Sequence, residues 1–436
     1  MATRHRLNIA TRLRPTRART PRQRPRQIRV RNYMPRPIRI LTFSTLYPSG
    51  VRPSHGIFVE TRLRHVVETR QVEARVVAPV PWFPFVHQRF GQYAVVAQTP
   101  TQEHRNGLDV WHPRYCLLPK IGMTIAPFAL AVGARGTAER LLQSGFDFDL
   151  IDAHYYYPDG VAAAILGRKL GKPVVITARG SDINQIPQHP IARKMILWAA
   201  DRAVASIAVC AALKDEMVQL GARDSKIHVL RNGVDLELFR PVDRLPARAK
   251  FGMRGFAMAS VGHLIPRKGH DLIVAALPML PDATLHIAGA GPDEASLRAL
   301  AARLGVTDRV RFLGAMSQQT LRELYCAADC LVLASSHEGW ANVLLESMAC
   351  GTPVVASNVW GTPEIVRSPE AGVLIDMRDP RAIANGVREL RTRDPDRAKT
   401  RRYAERFSWT ETTDGQLALF KAIRSGEERG ERLAHV

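Results

Sequence analysis

The chain has 436 residues, 46% of them hydrophobic and 23% charged, which excludes a disordered protein and predicts two globular domains. The formal net charge of +22 would suit nucleic acid or another anionic partner. Half of that charge comes from eleven arginines in residues 1–33, so the body of the chain is only moderately basic.

Residues 1–37 form an Arg/Pro-rich segment without hydrophobic periodicity, which predicts a disordered leader. Three interpretations are open: an arm for nucleic acid or an anionic membrane, an acid-free transit peptide, or a mis-called start codon. We favour the last, because Met34 stands directly before the first strand pattern. The leader is therefore discounted as an argument for nucleic acid.

The five cysteines, at 116, 210, 326, 330 and 350, lie in apolar segments without a metal-ligand pattern. A reduced, cytoplasmic protein is the simplest interpretation. The longest apolar run, 121–134, is too short to span a bilayer. We expect at most peripheral attachment to the cytoplasmic face of the inner membrane.

From residue 38 onward, short β-branched runs alternate with amphipathic stretches. Strands are predicted at 38–43, 72–80, 149–153, 173–177 and 203–209, and helices at 57–69, 125–143, 159–170, 190–201 and 211–220. This alternation is typical of a parallel sheet that is covered by helices on both faces.

The pattern restarts after a connection near 231–241. Strands are predicted at 256–262, 283–289, 309–314, 330–335, 353–357 and 371–376, and helices at 270–280, 293–304, 317–328, 342–350 and 379–391. We therefore predict an α/β protein with two doubly wound domains, 38–235 and 236–400. A terminal helix within 401–436 is expected to cross back to the first domain. Ligands of such sheets bind beyond the carboxyl ends of the strands, so the cleft between the domains is the expected site.

The stretch 335–355, SSHEGWANVLLESMACGTPVV, carries two carboxylates that follow a predicted strand. Glu338 lies in the loop, and Glu346 about one turn inside a helix for which Asn342 is the predicted N-cap. The first-turn amides near Val343 and Leu344 form a ready anion site. The carboxylates could serve as an acid/base pair, a metal site, contacts to sugar hydroxyls, or solvated surface in which Glu346 complements the helix dipole.

A second group of polar residues lies in 260–277, SVGHLIPRKGHDLIVAAL. A strand ends at Gly262, and Arg267 and Lys268 follow on the loop before the next helix. Two cations beside a helix N-terminus suit a diphosphate, although a solvated turn is the simpler alternative. The chain lacks a GxxxxGK[ST] P-loop, and GAG at 289–291 is a weak signal.

Four segments, EGWANVLLESMACGTPVV, VGHLIPRKG, IAGAGP and RVRFLG, together resemble the retaining glycosyltransferases of the GT-B fold, family 4. The spacing of Glu338 and Glu346 is that family's signature. DLIDAHYYYPDG and TARGSDIN resemble its acceptor domain. The resemblance covers about residues 38 to 425 and is nearest to members that build bacterial cell-surface polysaccharides.

The resemblance implies roles for individual residues. Arg267 and Lys268 would bind the donor diphosphate, Glu338 the transferred sugar, and Glu346 the ribose, while His154 would lie beside the reaction centre. The remaining predicted donor contacts are Gly56, Gly262, Leu313 and the amides of Asn342, Val343 and Leu344. The donor would be a UDP- or GDP-sugar, and no metal or other cofactor is expected.

This sequence departs from the family pattern on the acceptor side. Arg179 stands where many relatives have His before Gly-Ser-Asp, which implies an acceptor with an anionic group. Asp182 is assigned either to the acceptor or to the structure of the loop. Ala341, where relatives often have Pro, should loosen the donor loop without abolishing the site.

The resemblance implies transfer from a nucleotide sugar to a glycan or lipid-linked acceptor, with retention and front-face attack. Electrostatic stabilisation of the leaving group would supply most of the catalysis. Rival interpretations are a nucleotide-sugar epimerase or a hydrolase that uses the two glutamates as acid and base. A nucleic-acid or anionic-membrane binding protein is a remote alternative.

Overall fold

The computed structural model describes residues 36–116 and 122–426. Residues 1–35, which make up most of the predicted leader, lie outside the described residues. In chain order, the strands are β1 Ile38–Phe43, β2 Val72–Val77, β3 Val80–Pro81, β4 Gln102–Arg105, β5 Leu108–Trp111, β6 Arg114–Tyr115, β7 Leu150–His154, β8 Val174–Ala178, β9 Ala205–Ala208, β10 Ile227–Val229, β11 Phe256–Val261, β12 Ala283–Ala288, β13 Val310–Gly314, β14 Cys330–Leu333, β15 Val354–Ser357 and β16 Gly372–Ile375.

The α-helices alternate with these strands. They are α1 Ile57–Glu68, α2 Gln92–Ala97, α3 Gly122–Gln143, α4 Val161–Leu170, α5 Ser181–Asn184, α6 Pro190–Arg202, α7 Ala211–Leu220, α8 Arg244–Phe251, α9 His270–Ala276, α10 Glu294–Arg303, α11 Gln318–Ala327, α12 Asn342–Ala349, α13 Thr362–Ile365, α14 Pro380–Arg393, α15 Arg397–Ala404 and α16 Trp409–Ser425.

The first sheet has the order β10-β9-β8-β7-β1-β2-β5-β4, and the second has the order β13-β12-β11-β14-β15-β16. All pairs are parallel except β4 with β5. The strand order reverses between β1 and β7 in the first sheet and between β11 and β14 in the second. The predicted pair of doubly wound α/β domains is confirmed, and these two switch points are where such sheets bind ligands.

Two strand predictions needed correction. The run predicted over 72–80 divides into β2 and β3, because Pro79 has no N–H to donate to a continuing ladder. The hairpin of β4 and β5 was not predicted, although Asn106 and Gly107 both take the positive φ of a two-residue turn. Helices α8 and α15 were also missed.

Helix α16 returns to the amino-terminal sheet. Its buried residues Leu417, Phe420 and Ile423 belong to the same apolar cluster as Ile38 and Val76 of β1 and β2. The carboxyl terminus therefore contributes to the core of the first domain. Among the helices described, none combines the length and apolar character that crossing a membrane requires.

Replacement of Phe420, which lies on α16 and is fully buried, should weaken the packing of α16 against the first domain. Phe420→Ala should cost about 3–5 kcal/mol of unfolding free energy, because a large cavity remains. Denaturant titration would measure it, with Leu245→Ala as control, since Leu245 is 78% exposed. A loss below about 1 kcal/mol for Phe420→Ala would contradict this packing.

Candidate active site

The switch point of the carboxyl-terminal sheet joins two of the predicted residues directly. Lys268, on the loop after β11, places its Nζ 2.5 Å from Oε1 of Glu338, on the loop after β14. The Ser335 hydroxyl donates to the same carboxylate oxygen at 2.6 Å. Glu338 is buried. Its carboxylate was predicted to contact sugar hydroxyls, but here it pairs with Lys268, which was predicted to bind phosphate.

The same two loops are joined a second time through Arg267. Its Nη1 donates to the carbonyl of His337 at 3.0 Å, and its own carbonyl accepts from the amide of Ser336 at 2.9 Å. Gly262 lies beneath this loop, where a Cβ would stand 3.5 Å from the aliphatic stem of Lys268. Both predicted diphosphate ligands are thus held at the carboxyl edge of the sheet.

Helix α12 begins one residue earlier than the predicted cap requires. Ala341 occupies the N-cap position and Asn342 is the first helical residue, so the prediction of Asn342 as N-cap was wrong. The Asn342 amide donates to the Trp340 carbonyl, and the Leu344 amide donates to the Ala341 carbonyl, both at 3.0 Å. The tight turn uses these two donors internally. Of the three amides predicted to contact phosphate, only that of Val343 has no hydrogen-bond partner within the described residues.

Glu346 lies at the bottom of the cleft and faces both domains. Its Oε2 accepts a 2.8 Å hydrogen bond from the Tyr325 hydroxyl, and burial raises the pKa of the carboxyl to about 7. It lines a narrow cavity of about 40 Å³ together with Phe58 and Trp409 of the amino-terminal side. Because ligand pockets usually measure about 300–1,000 Å³, a nucleoside can enter only if these walls move apart.

Leu313 and Gly56, two further predicted donor contacts, lie at the ends of local elements. Leu313 is half-buried near the end of β13. Gly56 precedes α1 with a φ of 68°, and a Cβ there would meet the Leu46 carbonyl at 2.3 Å. The close approach that requires glycine is therefore made to the chain's own loop.

His154, at the end of β7, is 1% exposed and has both ring nitrogens engaged. Nδ1 lies 2.7 Å from Nη2 of Arg179, which can only donate, and Nε2 lies 3.2 Å from Oδ2 of Asp152. These partners fix the tautomer with the proton on Nε2. Burial lowers the pKa of His154, so the ring is neutral and neither nitrogen is free to accept a proton.

Arg179 is half-buried and is held in a polar network. It donates to Oδ1 of Asn232 at 3.1 Å and its guanidinium lies over the ring of Phe58 at 5.2 Å. Burial, and after it repulsion by the buried Arg62, lowers the pKa of Arg179 to about 9. The guanidinium remains charged at neutral pH.

Arg62, Asp152 and Gln416 complete this network. Arg62 donates to Oε1 of Gln416 at 2.8 Å, and Gln416 donates to Oδ2 of Asp152 at 3.2 Å. Burial lowers the pKa of Arg62 to about 10. The charge of Asp152 acts on both guanidinium groups, and that of Asp182 acts on Arg179 as well.

Asp182 organises the loop that carries Arg179. Its carboxylate accepts from the amides of Tyr156 at 2.7 Å, Gly180 at 2.7 Å and Arg179 at 3.0 Å. It is fully buried, and burial raises its pKa. The structure therefore assigns Asp182 to the loop and gives it no surface for an acceptor.

The two switch points meet through glycines. A Cβ on Gly339, in the donor loop, would stand 2.1 Å from the carbonyl of Arg179, and one on Gly180 would stand 3.0 Å from the Gly339 amide. Backbone therefore packs on backbone at the seam between the domains. Trp340 adds a hydrogen bond of 2.9 Å from its Nε1 to the carbonyl of Asn232 in the linker.

The two halves of the chain match two families. Residues 243–407 match Glycosyl transferases group 1, and residues 87–238 match Glycosyltransferase Family 4. A D-inositol 3-phosphate glycosyltransferase from Mycolicibacterium vanbaalenii is 34% identical over 313 residues, which are 64% of this chain and 68% of that one. D-inositol 3-phosphate glycosyltransferase 1 from Catenulispora acidiphila is 33% identical over 322 residues, covering 66% of this chain and 76% of that one.

This chain belongs to the family 4 glycosyltransferases. Solved structures share its GT-B fold. Sucrose-phosphate synthase from Thermosynechococcus elongatus has a TM-score of 0.73 at 19% identity and covers 90% of this chain and 100% of its own. Anabaena HepE in complex with UDP-glucose has a TM-score of 0.65 at 20% identity and covers 88% and 99%.

In this glycosyltransferase, Arg267, Lys268 and Glu338 gather at one switch point, while His154 and Arg179 gather at the other. Of the remaining predicted donor contacts, Gly56 lies in the amino-terminal domain and Leu313 on the edge strand β13. Sequence reasoning missed Arg62, Asp152, Asn232 and Gln416. Asp152 stands in the quoted strand-end motif DLIDAH and could have been found there, whereas Arg62 and Gln416 lie on helices that look ordinary in sequence. Metal independence stays a prediction. Among residues 36–116 and 122–426, no group of three His, Cys, Asp or Glu side chains is placed to hold a metal ion.

The raised pKa of Glu346 predicts a pH dependence of stability. Between its ordinary pKa of 4.5 and about 7, the folded state holds a proton that the unfolded state releases. The unfolding free energy contributed by this group therefore falls as pH rises through that interval. Glu346→Gln should flatten the fall, measured as the thermal midpoint at several pH values. The exposed control Glu389→Gln should keep the wild-type slope, and an unchanged slope in Glu346→Gln would contradict the assignment.

Proposed function

We propose that this enzyme transfers a sugar from a nucleoside-diphosphate sugar to an acceptor hydroxyl with retention of configuration. The observation that carries the proposal is the Lys268–Glu338 ion pair at the switch point, beside Arg267 and the free Val343 amide. Cations and amides at the carboxyl ends of parallel strands are suited to phosphates. The D-inositol 3-phosphate glycosyltransferases that this chain resembles support the reaction class.

The ion pair suggests how the donor enters. Glu338 holds the ammonium of Lys268 where a diphosphate oxygen would otherwise bind. When the diphosphate takes Lys268, the carboxylate is released toward the hydroxyls of the transferred sugar. Glu346, at the other end of the helix turn, would then accept from the ribose hydroxyls.

The proposed chemistry assigns no proton transfer to a side chain. His154 has both nitrogens engaged, and Glu338 is already paired with Lys268. We infer that the acceptor hydroxyl attacks on the face that the nucleoside diphosphate leaves, and that the departing phosphate oxygen takes its proton. Positioning and stabilisation of the leaving charge by Arg267 and Lys268 then supply the catalysis.

For the acceptor, we propose a phosphorylated polyol as the first candidate. The relatives named above act on D-inositol 3-phosphate by name, and the half-buried guanidinium of Arg179 supplies a cation for an anionic acceptor on that side. A glycan or lipid-linked acceptor in surface-polysaccharide synthesis, met at the cytoplasmic membrane face, is the second candidate. An epimerase or a hydrolase would consume the nucleotide sugar without any acceptor. The turnover assay described next detects that consumption when the acceptor is left out.

Lys268→Ala should lower turnover by about 10²–10³, because it removes a charged contact to the leaving group. The measurement is release of nucleoside diphosphate from a panel of UDP- and GDP-sugars, with inositol phosphates, free sugars and lipid-linked sugars as acceptors. NMR of the product anomer reads retention.

The matched control is Lys250→Ala, a lysine of the same domain that pairs with Glu323 on α11. It should keep wild-type turnover. If Lys268→Ala and Glu346→Gln both leave turnover intact across the panel, the proposed donor site is wrong.

A further inference from the structure

Glu364, on the short helix α13 of the carboxyl-terminal domain, reaches across to the amino-terminal domain. Its Oε1 accepts from the amides of Ala211 at 2.7 Å and Ala212 at 3.2 Å, the first two residues of α7. Its Oε2 accepts from Nε of Arg231 at 2.8 Å and also from Nη2 of the same guanidinium. One carboxylate thus joins a helix of one domain, the linker, and the other domain.

The sequence of α7 explains why this contact matters. The N-cap residue of α7 is Cys210, whose side chain makes no capping hydrogen bond. The first-turn amides of a helix need an acceptor, and a carboxylate there is favoured by the helix dipole. Glu364 supplies that acceptor from the other domain, so α7 is fully capped only when the domains are together.

Burial strengthens the contact. The Glu364 side chain is 12% exposed, so solvent screens its charge weakly, whereas its partner Arg231 is 39% exposed. Arg231 donates two hydrogen bonds to it in the fork geometry that carboxylates favour. This arrangement is stronger than an exposed ion pair.

The same segment touches the donor loop. A Cβ on Gly361, three residues before Glu364, would stand 2.2 Å from the Gly339 carbonyl and 3.1 Å from Sγ of Cys210. Gly339 directly follows Glu338. Engagement of Glu364 therefore brings the donor loop, α7 and the linker into one fixed arrangement.

We propose that Glu364 is an interdomain clamp: a positioning residue that holds the two switch points together without touching substrate. Its contacts with the α7 amides and Arg231 stabilise the closed arrangement in which residues of both domains face the cleft. When the clamp is released, α7 loses its cap, the linker loses its ion pair, and the cleft opens. The clamp acts on domain geometry, and only the turnover measurement in its test rests on the proposed function.

The test is Glu364→Gln, which keeps the shape and the amide acceptor but removes the charge that binds Arg231. Spin labels would be placed on the exposed Cys116 and on a cysteine introduced by Asp308→Cys, since the other cysteines are buried. We expect the distance distribution in the unliganded protein to extend to longer separations. Glu389→Gln, whose carboxylate pairs with Arg393 within α14, is the matched control and should keep the wild-type distribution.

Two further measurements separate positioning from a purely structural role. The thermal midpoint of Glu364→Gln should stay near that of the control, while turnover falls roughly tenfold, within the usual range of coupling between sites. Arg231→Lys, which keeps the charge but loses the fork, should give an intermediate distribution. It also serves as the test if Glu364→Gln fails to fold. A wild-type distance distribution in the folded variants would overturn the clamp, whatever the enzyme's substrates prove to be.

Discussion

The structure depends on one geometric constraint: the carboxyl edges of two parallel sheets face each other closely enough for backbone to touch backbone. Gly339 and Gly180 make that approach, because a side chain at Gly339 would collide with the Arg179 carbonyl at 2.1 Å. The polar groups of the site lie at the strand ends that meet at this seam. Strand-end loops of one sheet supply Arg267, Lys268 and Glu338, and those of the other supply His154 and Arg179.

The two sides of the seam carry different electrostatics. In the carboxyl-terminal domain, Lys268 and Glu338 neutralise each other. In the proposed function, a diphosphate would replace Glu338 as the anion that pairs with Lys268. In the amino-terminal domain, Arg62 and Arg179 lie near Asp152 and Asp182, and burial together with the charge of Arg179 keeps His154 neutral. Asn232 joins the sides, since it accepts from Arg179 while its carbonyl accepts from Trp340 of the donor loop.

The sequence predicted the alternation of strands and helices well, because buried parallel strands read as short β-branched runs whatever their neighbours. It also placed Lys268 and Glu338 on strand-end loops of one sheet, where the structure has them; their role in donor binding stays a prediction. It did not predict that these two would pair, that Ala341 would precede α12, or that Gln416 would reach Asp152 from 264 residues away. The Lys268–Glu338 pair depends on how two loops of one sheet meet at its switch point, and the Gln416–Asp152 contact depends on how α16 returns. Local pattern carries no information about either.

The most direct test of this account is a crystal structure of the complex with a nucleoside diphosphate. We expect the diphosphate to lie within hydrogen-bond distance of Lys268 Nζ and Arg267, with Glu338 displaced from Lys268. The walls around Glu346 should move apart to hold the ribose. A nucleotide bound elsewhere, with the Lys268–Glu338 pair intact, would contradict it.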